Sequence, residues 1–209
     1  MNRANPLSSL TLAQLDAIYS TTRKRGYPEA ITRWGQLGLT GDWANQPIHP
    51  YGMVIERKVG NPHAGIVAYL IERVLLGGDF NPGTRQVPDT GMGRGNNRAL
   101  DEIAEAVAGD PLAIGYAGFA NRRPGTRSVA LAESAGQPAY AGTEEEVTAR
   151  VYPLTRTIFI LARPDCSPAA REFLRFVLSR EGQAEVKKDP AGFLPLPDQF
   201  SAVERRKLN

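Results

Sequence analysis

Hydrophobic positions along the chain fall into short periodic blocks separated by glycine- and proline-rich stretches. The first block opens at Leu10-Thr11-Leu12-Ala13-Gln14-Leu15. There Thr11 can accept from the free amides of a helix start, Gln14 can reach back to Thr11, and Leu10 can staple onto Leu15. The pattern predicts a helix to about Tyr19. From Ser20 to Gln46 any period is broken by Gly26, Pro28, Gly35, Gly38 and Gly41, which predicts a loop-rich connector with Ile31 and Trp34 as its buried residues. Residues 47–53 read as a short strand. Val67, Leu70, Ile71, Val74 and Leu75 then share one helical face, ended by Gly77 and Gly78. Leu100, Ile103, Ala104 and Val107 share another, capped by Asn96 or Asn97 and stopped by Gly109.

Residues 113–116 and 127–131 read as buried strands, and Thr143-Glu144-Glu145-Glu146 as a second capping box. Thr157-Ile158-Phe159-Ile160-Leu161 is the most strand-like run in the chain. Ser167 and Pro168 then open a predicted long helix whose apolar face carries Ala170, Phe173, Leu174, Val177 and Leu178, ending near Gly182. Helices alternating with short strands make the α/β class the physical expectation.

At 209 residues and 42% hydrophobic content, the chain can bury a real core. Its net charge of +3 is spread along the sequence, which lacks the clustered basic stripe of a nucleic-acid-binding protein. The densest basic run, Arg205-Arg206-Lys207, reads as a solvated helix end. Cys166 stands alone and the histidines are only His49 and His63, so neither an intrachain disulfide nor a structural zinc site is expected, and no cofactor is implied. No apolar run approaches the ~18 residues of a membrane span. The opening residues 1–6 lack a hydrophobic signal core, so no signal peptide is expected in this chain.

Gly60-Asn61-Pro62-His63-Ala64-Gly65-Ile66 immediately precedes a predicted helix. Unpaired amides and the helix dipole make such a start attractive to an oxyanion, the alternative being an ordinary Gly/Pro turn. Gly95-Asn96-Asn97 offers a similar amide cluster with two side-chain amides, or simply a cap. Glycines 91, 93 and 95 fall short of a nucleotide loop, because Asn96 stands in place of the third glycine and no Gly-Lys-Ser/Thr sequence occurs. No Gly-x-Ser-x-Gly elbow exists and neither histidine has an evident nucleophile, so the chain is not expected to be an enzyme. His49 reads as a strand-end polar residue and Glu144, Glu145 and Glu146 as first-turn helix residues facing water. Cys166, just ahead of a helix, has no evident reaction to serve.

Several stretches together resemble one family. These are Asn5-Pro6-Leu7 with residues 10–19, Ile31-Thr32-Arg33-Trp34-Gly35, Ala113-Ile114-Gly115-Tyr116-Ala117-Gly118, Tyr152-Pro153-Leu154-Thr155-Arg156, and residues 173–183. In order and spacing they are similar to phosphate ABC-transporter substrate-binding proteins, of the periplasmic binding protein type II fold. The resemblance implies a two-lobed fold that closes on an anion and delivers it to an ABC permease in the periplasm. It covers a second-lobe-like α/β domain at 1–156. Residues 157–209 would be a crossover strand and C-terminal helices belonging to an incomplete first lobe.

The resemblance also implies how inorganic phosphate or a similar oxyanion would be held. The family's Ser-Gly-Thr turn corresponds to Ala64-Gly65-Ile66, so two hydroxyls are replaced while the backbone amides remain. The family's arginine shortly before that turn has two candidate counterparts, Met53 and Arg57. The ligand contacts expected are Asn61, His63, Ala64, Gly65 and Ile66, with Gly95, Asn96 and Asn97 opposite. A first-lobe segment carrying a further anion-contacting loop is absent from the chain. Self-association, or docking of the missing first lobe, is therefore expected through Phe173, Leu174 and Val177. The alternative is a truncated or degenerate relative that binds no solute and acts as an interaction protein.

Overall fold

A computed structural model describes residues 1–53, 65–87, 98–189 and 192–208. They fall into two units, Met1–Gly142 and Thr143–Asn209. The first unit carries the strands β1 (Ser9–Thr11), β2 (His49–Met53), β3 (Arg85–Val87), β4 (Ala113–Gly115), β5 (Ala130–Ala132) and β6 (Ala139–Tyr140). Its helices are α1 (Leu12–Tyr19), α2 (Gly65–Arg73) and α3 (Arg98–Gly109).

Among the described residues two three-stranded sheets result. In one, β2 lies between β3 and β4 and is parallel to both, with Tyr51 facing Arg85 on one side and Gly115 on the other. In the other, β1 runs parallel to β5, Leu10 opposite Leu131, and β6 adds antiparallel to β5. The α/β class expected from the alternation of elements is the class observed.

β1 passes directly into α1 because Thr11 serves both elements. Its hydroxyl accepts from the Gln14 amide at 3.1 Å, and its own amide donates to Gln14 Oε1 at 2.8 Å. A box of this kind contributes about 1 kcal/mol and fixes where the strand must end. Leu12, Leu15, Ile18 and Tyr19 of α1 are buried.

The parallel sheet is covered by α3, which packs on β2 and β4. Met53, Val67, Ala99, Leu100, Ile103, Val107 and Ala113 form the core there, joined by half-buried Tyr51, Ile66, Ile71, Phe80 and Val87. Gly115 permits the close approach of α3: a Cβ at that position would sit 2.8 Å from Val107 and 2.9 Å from Ile103. The connector 20–46 closes on itself, the Trp34 and Gly35 amides donating to the Gln46 and Ala44 carbonyls at 3.0 and 3.1 Å. Trp34 is fully buried with Trp43 edge-on to it, and Ile31 is buried as expected.

The second unit is helical: α4 (Glu144–Thr148), α5 (Pro168–Val177), α6 (Arg180–Lys188) and α7 (Asp198–Arg206). Thr143 and Glu146 form the expected capping box. The long helix predicted from Ser167 to about Gly182 is instead two. Ser179 leaves the helical region at φ −78°, ψ 167° and caps α6 by accepting from the Gly182 amide at 3.1 Å. Gly182 also lies so close to the Phe176 carbonyl that only glycine fits.

The run at 157–161 forms no strand. Its apolar composition asks for a ladder, but Ile158 to Leu161 make no backbone hydrogen bond among the described residues. Ile158, Phe159, Ile160 and Leu161 are 57%, 78%, 57% and 96% exposed. The face expected to be open on α5 is also narrower than its pattern suggests. Phe173 is exposed, Val177 is half-buried and Leu174 is buried, neighbouring helical positions pointing about 100° apart.

Candidate functional site

The connections around β2 mark one edge of the parallel sheet. β2 passes through α2 to β3 on one side, and β3 passes through α3 to β4 on the other, so β2 is the point where the strand order reverses. In open α/β sheets ligands bind beyond the carboxyl ends of the strands at such a point. α2 and α3 follow the carboxyl ends of β2 and β3, and each brings the positive end of its dipole.

The expected ligand residues flank these two helix starts. Gly65 is the first residue of α2 and is exposed. Ile66 follows it, half-buried against the core cluster around Met53 and Val67, so its side chain acts as packing. Asn61, His63 and Ala64, and Gly95, Asn96 and Asn97, lie outside the described residues, as does Arg57. Met53 is buried at 4% exposure and belongs to the core.

Two tyrosines that the sequence reading left without a role organise this edge. β2 extends past the end of its pairing with β4, which stops at Tyr51 opposite Gly115. The Met53 amide beyond that point donates to the phenolic oxygen of Tyr116 at 3.1 Å. Tyr19, edge-on to Tyr116 at 5.8 Å, donates to the carbonyls of Tyr51 at 3.2 Å and Ile114 at 3.0 Å, one on each strand. Burial pushes both phenols above the ordinary tyrosine range, Tyr19 further through its neighbour Tyr116, so both stay protonated at neutral pH. Gly52 leaves room for this arrangement: a Cβ there would stand 2.9 Å from the Tyr116 ring and hydroxyl. The available signal was Tyr116 itself, a large phenol at a strand end whose hydroxyl needs a partner once half-buried.

At the opposite, amino edge of the sheet, His49, Tyr51, Arg85 and Asp110 form a polar cluster. Asp110 Oδ2 receives His49 Nδ1 at 2.7 Å, the Tyr51 hydroxyl at 3.2 Å and Arg85 at 3.1 Å, while Oδ1 accepts the Leu112 amide at 3.0 Å. Burial opposes ionisation of Asp110, but these bonds, His49 foremost, hold its carboxyl below the usual range. His49 is thus a strand-end residue in a brace around the Asp110 carboxylate.

Other singled-out groups take structural places. Glu144, Glu145 and Glu146 occupy the first turn of α4, with Glu144 paired to Lys187 at 3.1 Å. Arg205 and Arg206 lie in the last turn of α7, and Cys166 is a free, half-buried thiol. Among the described residues no cluster of His, Cys, Asp and Glu could hold a metal ion, and no helix is long and apolar enough to cross a membrane.

A parallel sheet with a switch point is the open α/β layout in which ligands bind beyond the carboxyl ends of the strands. Residues 1–181 match the family described as PBP superfamily domain, and the chain belongs to that family. It is 32% identical over 212 residues to the phosphate-binding protein PstS of Pseudomonas aeruginosa, an alignment that takes in 100% of this chain and 60% of that protein. The chain thus spans about three-fifths of the length of that curated relative.

Solved structures show the same fold. An ABC-type phosphate transport receptor from Vibrio cholerae superposes with a TM-score of 0.65 at 20% identity, over 94% of this chain and 67% of that one. A substrate-binding protein assigned to a phosphate ABC transporter of Clostridium perfringens, solved with phosphate bound, gives 0.59 at 22% identity, over 92% and 65%.

Proposed function

We propose that this chain is the greater part of a solute-binding protein for a small oxyanion, most simply inorganic phosphate, that serves an ABC permease in the periplasm. The observation that carries the reading is the switch point at β2, which sends the starts of α2 and α3 to one edge of one sheet. Similarity along the whole of this chain to 60% of the length of PstS supports phosphate as the oxyanion. On this reading the ligand meets mainly backbone amides, from Gly65 and Ile66 with Asn61, His63 and Ala64 before them, and from Gly95, Asn96 and Asn97 opposite. The chemistry is binding, with no covalent step.

Residues 157–209 are, on the same reading, elements that complete a first lobe. The apolar run 157–161 supports this, because Ile158 and Ile160 alternate with Phe159 and Leu161 and both faces are apolar, the pattern of a strand buried on two sides. A second reading, an interaction protein that binds no solute, draws on the same exposed run.

Calorimetric titration of the size-checked chain with phosphate and with sulfate at equal ionic strength separates these readings. Saturable heat with phosphate alone supports the oxyanion site. Absence of heat with both anions, from protein shown to be folded, removes it and leaves the interaction reading.

A further inference from the structure

We infer that the helical unit holds an anion site of its own, between α5 and α7, where Arg175, Arg205 and Arg206 receive the phosphoryl group of a ligand. This site stands independently of the oxyanion reading of the first unit. Arg205 and Arg206 follow Ala202 on α7 by three and four residues, so all three share one face of that helix. With Arg175 of α5 they line an open depression of about 280 Å³. Arg175 is held there, because its Nη2 donates to the Leu208 carbonyl at 2.9 Å and so joins α5 to the residues that end α7. It also borders a neighbouring depression of about 590 Å³, where Arg171, one turn earlier on α5, adds a fourth guanidinium.

The unit neutralises these cations only in part. Glu204, the carboxylate beside them on α7, is taken by Lys207 at 2.7 Å. Glu172 reaches Arg175 only at 3.5 Å, and Glu181 senses Arg205 from beyond ion-pair distance. Among the described residues neither Arg205 nor Arg206 forms an ion pair. The three arginines lie in the last turns of their helices, and each helix end carries roughly half a negative charge, so two ends offset about one positive charge of the three. Like charges around one open space repel, and an anion entering it relieves that repulsion. The number of forks selects the anion. A carboxylate offers two oxygens in one plane and is filled by a single guanidinium, whereas a phosphoryl group offers terminal oxygens set apart tetrahedrally and accepts from several. The depression is also several times the size of one water, about 30 Å³ in the liquid, which suits a condensed phosphate or a phosphomonoester, free or as a lipid headgroup.

The test compares the unaltered chain with two double variants that lose the same charge. Arg205→Gln with Arg206→Gln empties the depression of two guanidiniums, and Arg163→Gln with Lys188→Gln removes two cations that stand 83% and 68% exposed outside it. All four positions are exposed, so both variants are expected to unfold at nearly the temperature of the unaltered chain. Each protein is titrated calorimetrically with inorganic pyrophosphate and with citrate at equal ionic strength, and sedimented with phosphatidylcholine vesicles that contain or lack phosphatidic acid. Saturable pyrophosphate heat, weakened about tenfold or more by the Arg205 and Arg206 changes and less than twofold by the control pair, supports the site as one for a free ligand. Pelleting only with phosphatidic acid, lost in the Arg205 and Arg206 variant alone, supports it as a headgroup site. Citrate binding as tightly as pyrophosphate overturns the phosphoryl assignment. Equal effects of the two double variants reduce the arginines to general charge and overturn the site, as does the absence of both heat and pelleting from the folded, unaltered chain.

Discussion

His49, the first residue of β2, and Asp110, in the turn before β4, meet at 2.7 Å across the amino edge of the parallel sheet. Arg85 at the start of β3 completes the row, so all three strands are braced at one end by a single carboxylate.

That brace sets a pH dependence. The folded state holds the Asp110 pKa below its ordinary value of 3.8, so its contribution to stability is present in full above that value and is lost as the pH falls through the lowered one. Asp110→Asn is expected to lower stability by about 1–3 kcal/mol at pH 7. In urea titrations at a series of pH values, its gap from the unaltered chain should narrow below the ordinary carboxylate pKa.

Ile66 is expected to tolerate Val better than Thr. Its side chain packs against the Met53–Val67 cluster, so Ile66→Thr removes buried apolar surface and should cost about 1 kcal/mol or more. Chemical denaturation of the two variants side by side gives the comparison, with Ile66→Val the smaller loss.

Gly182 should not accept a side chain. A Cβ would lie 2.0 Å from the Phe176 carbonyl oxygen, so Gly182→Ala must disturb the junction of α5 and α6. Helical circular dichroism and unfolding of the variant should show a loss of at least ~2 kcal/mol or failure to fold.

The exposed run 157–161 is expected to drive association. A charged residue at an exposed position carries little folding cost, so Phe159→Lys and Leu161→Lys should leave thermal unfolding nearly unchanged. They should reduce the concentration-dependent scattering of the unaltered chain if that run is the sticky surface. Equal scattering from all three proteins would assign association to another surface.

What could be read from the sequence was what neighbours in the sequence decide. Thr11 with Gln14, and Thr143 with Glu146, place helix starts through contacts three residues long, and both stand where expected. The apolar faces of α2 and α3 were likewise legible from their spacing, and Val67, Leu70, Ile103 and Val107 are buried. β3 was not legible, because Arg85 and Gln86 are exposed polar residues that become a strand only by lying beside Tyr51 and Gly52. The 157–161 run misled in the opposite sense: its composition is that of a strand, but pairing needs an edge that composition cannot provide. At the site, the two helix starts could be located from glycine and asparagine. The Tyr116 to Met53 bond could not, since it spans 63 positions and depends on where β4 stops.

The parallel pairing of β1 with β5 bears on how the first unit comes into being. Leu10 has its partner at Leu131, almost at the far end of that unit, and the N-terminal segment is tied there again where Arg127 donates to the Asn5 and Leu7 carbonyls. On the ribosome, β1 and the apolar residues around it emerge ahead of β5 and wait for nearly the whole unit before their sheet can close. Such closure is slow, because the entropy of a long loop is lost before its contacts form. Leu7, Leu10 and Leu12 are the residues that a chaperone has reason to shield in the meantime.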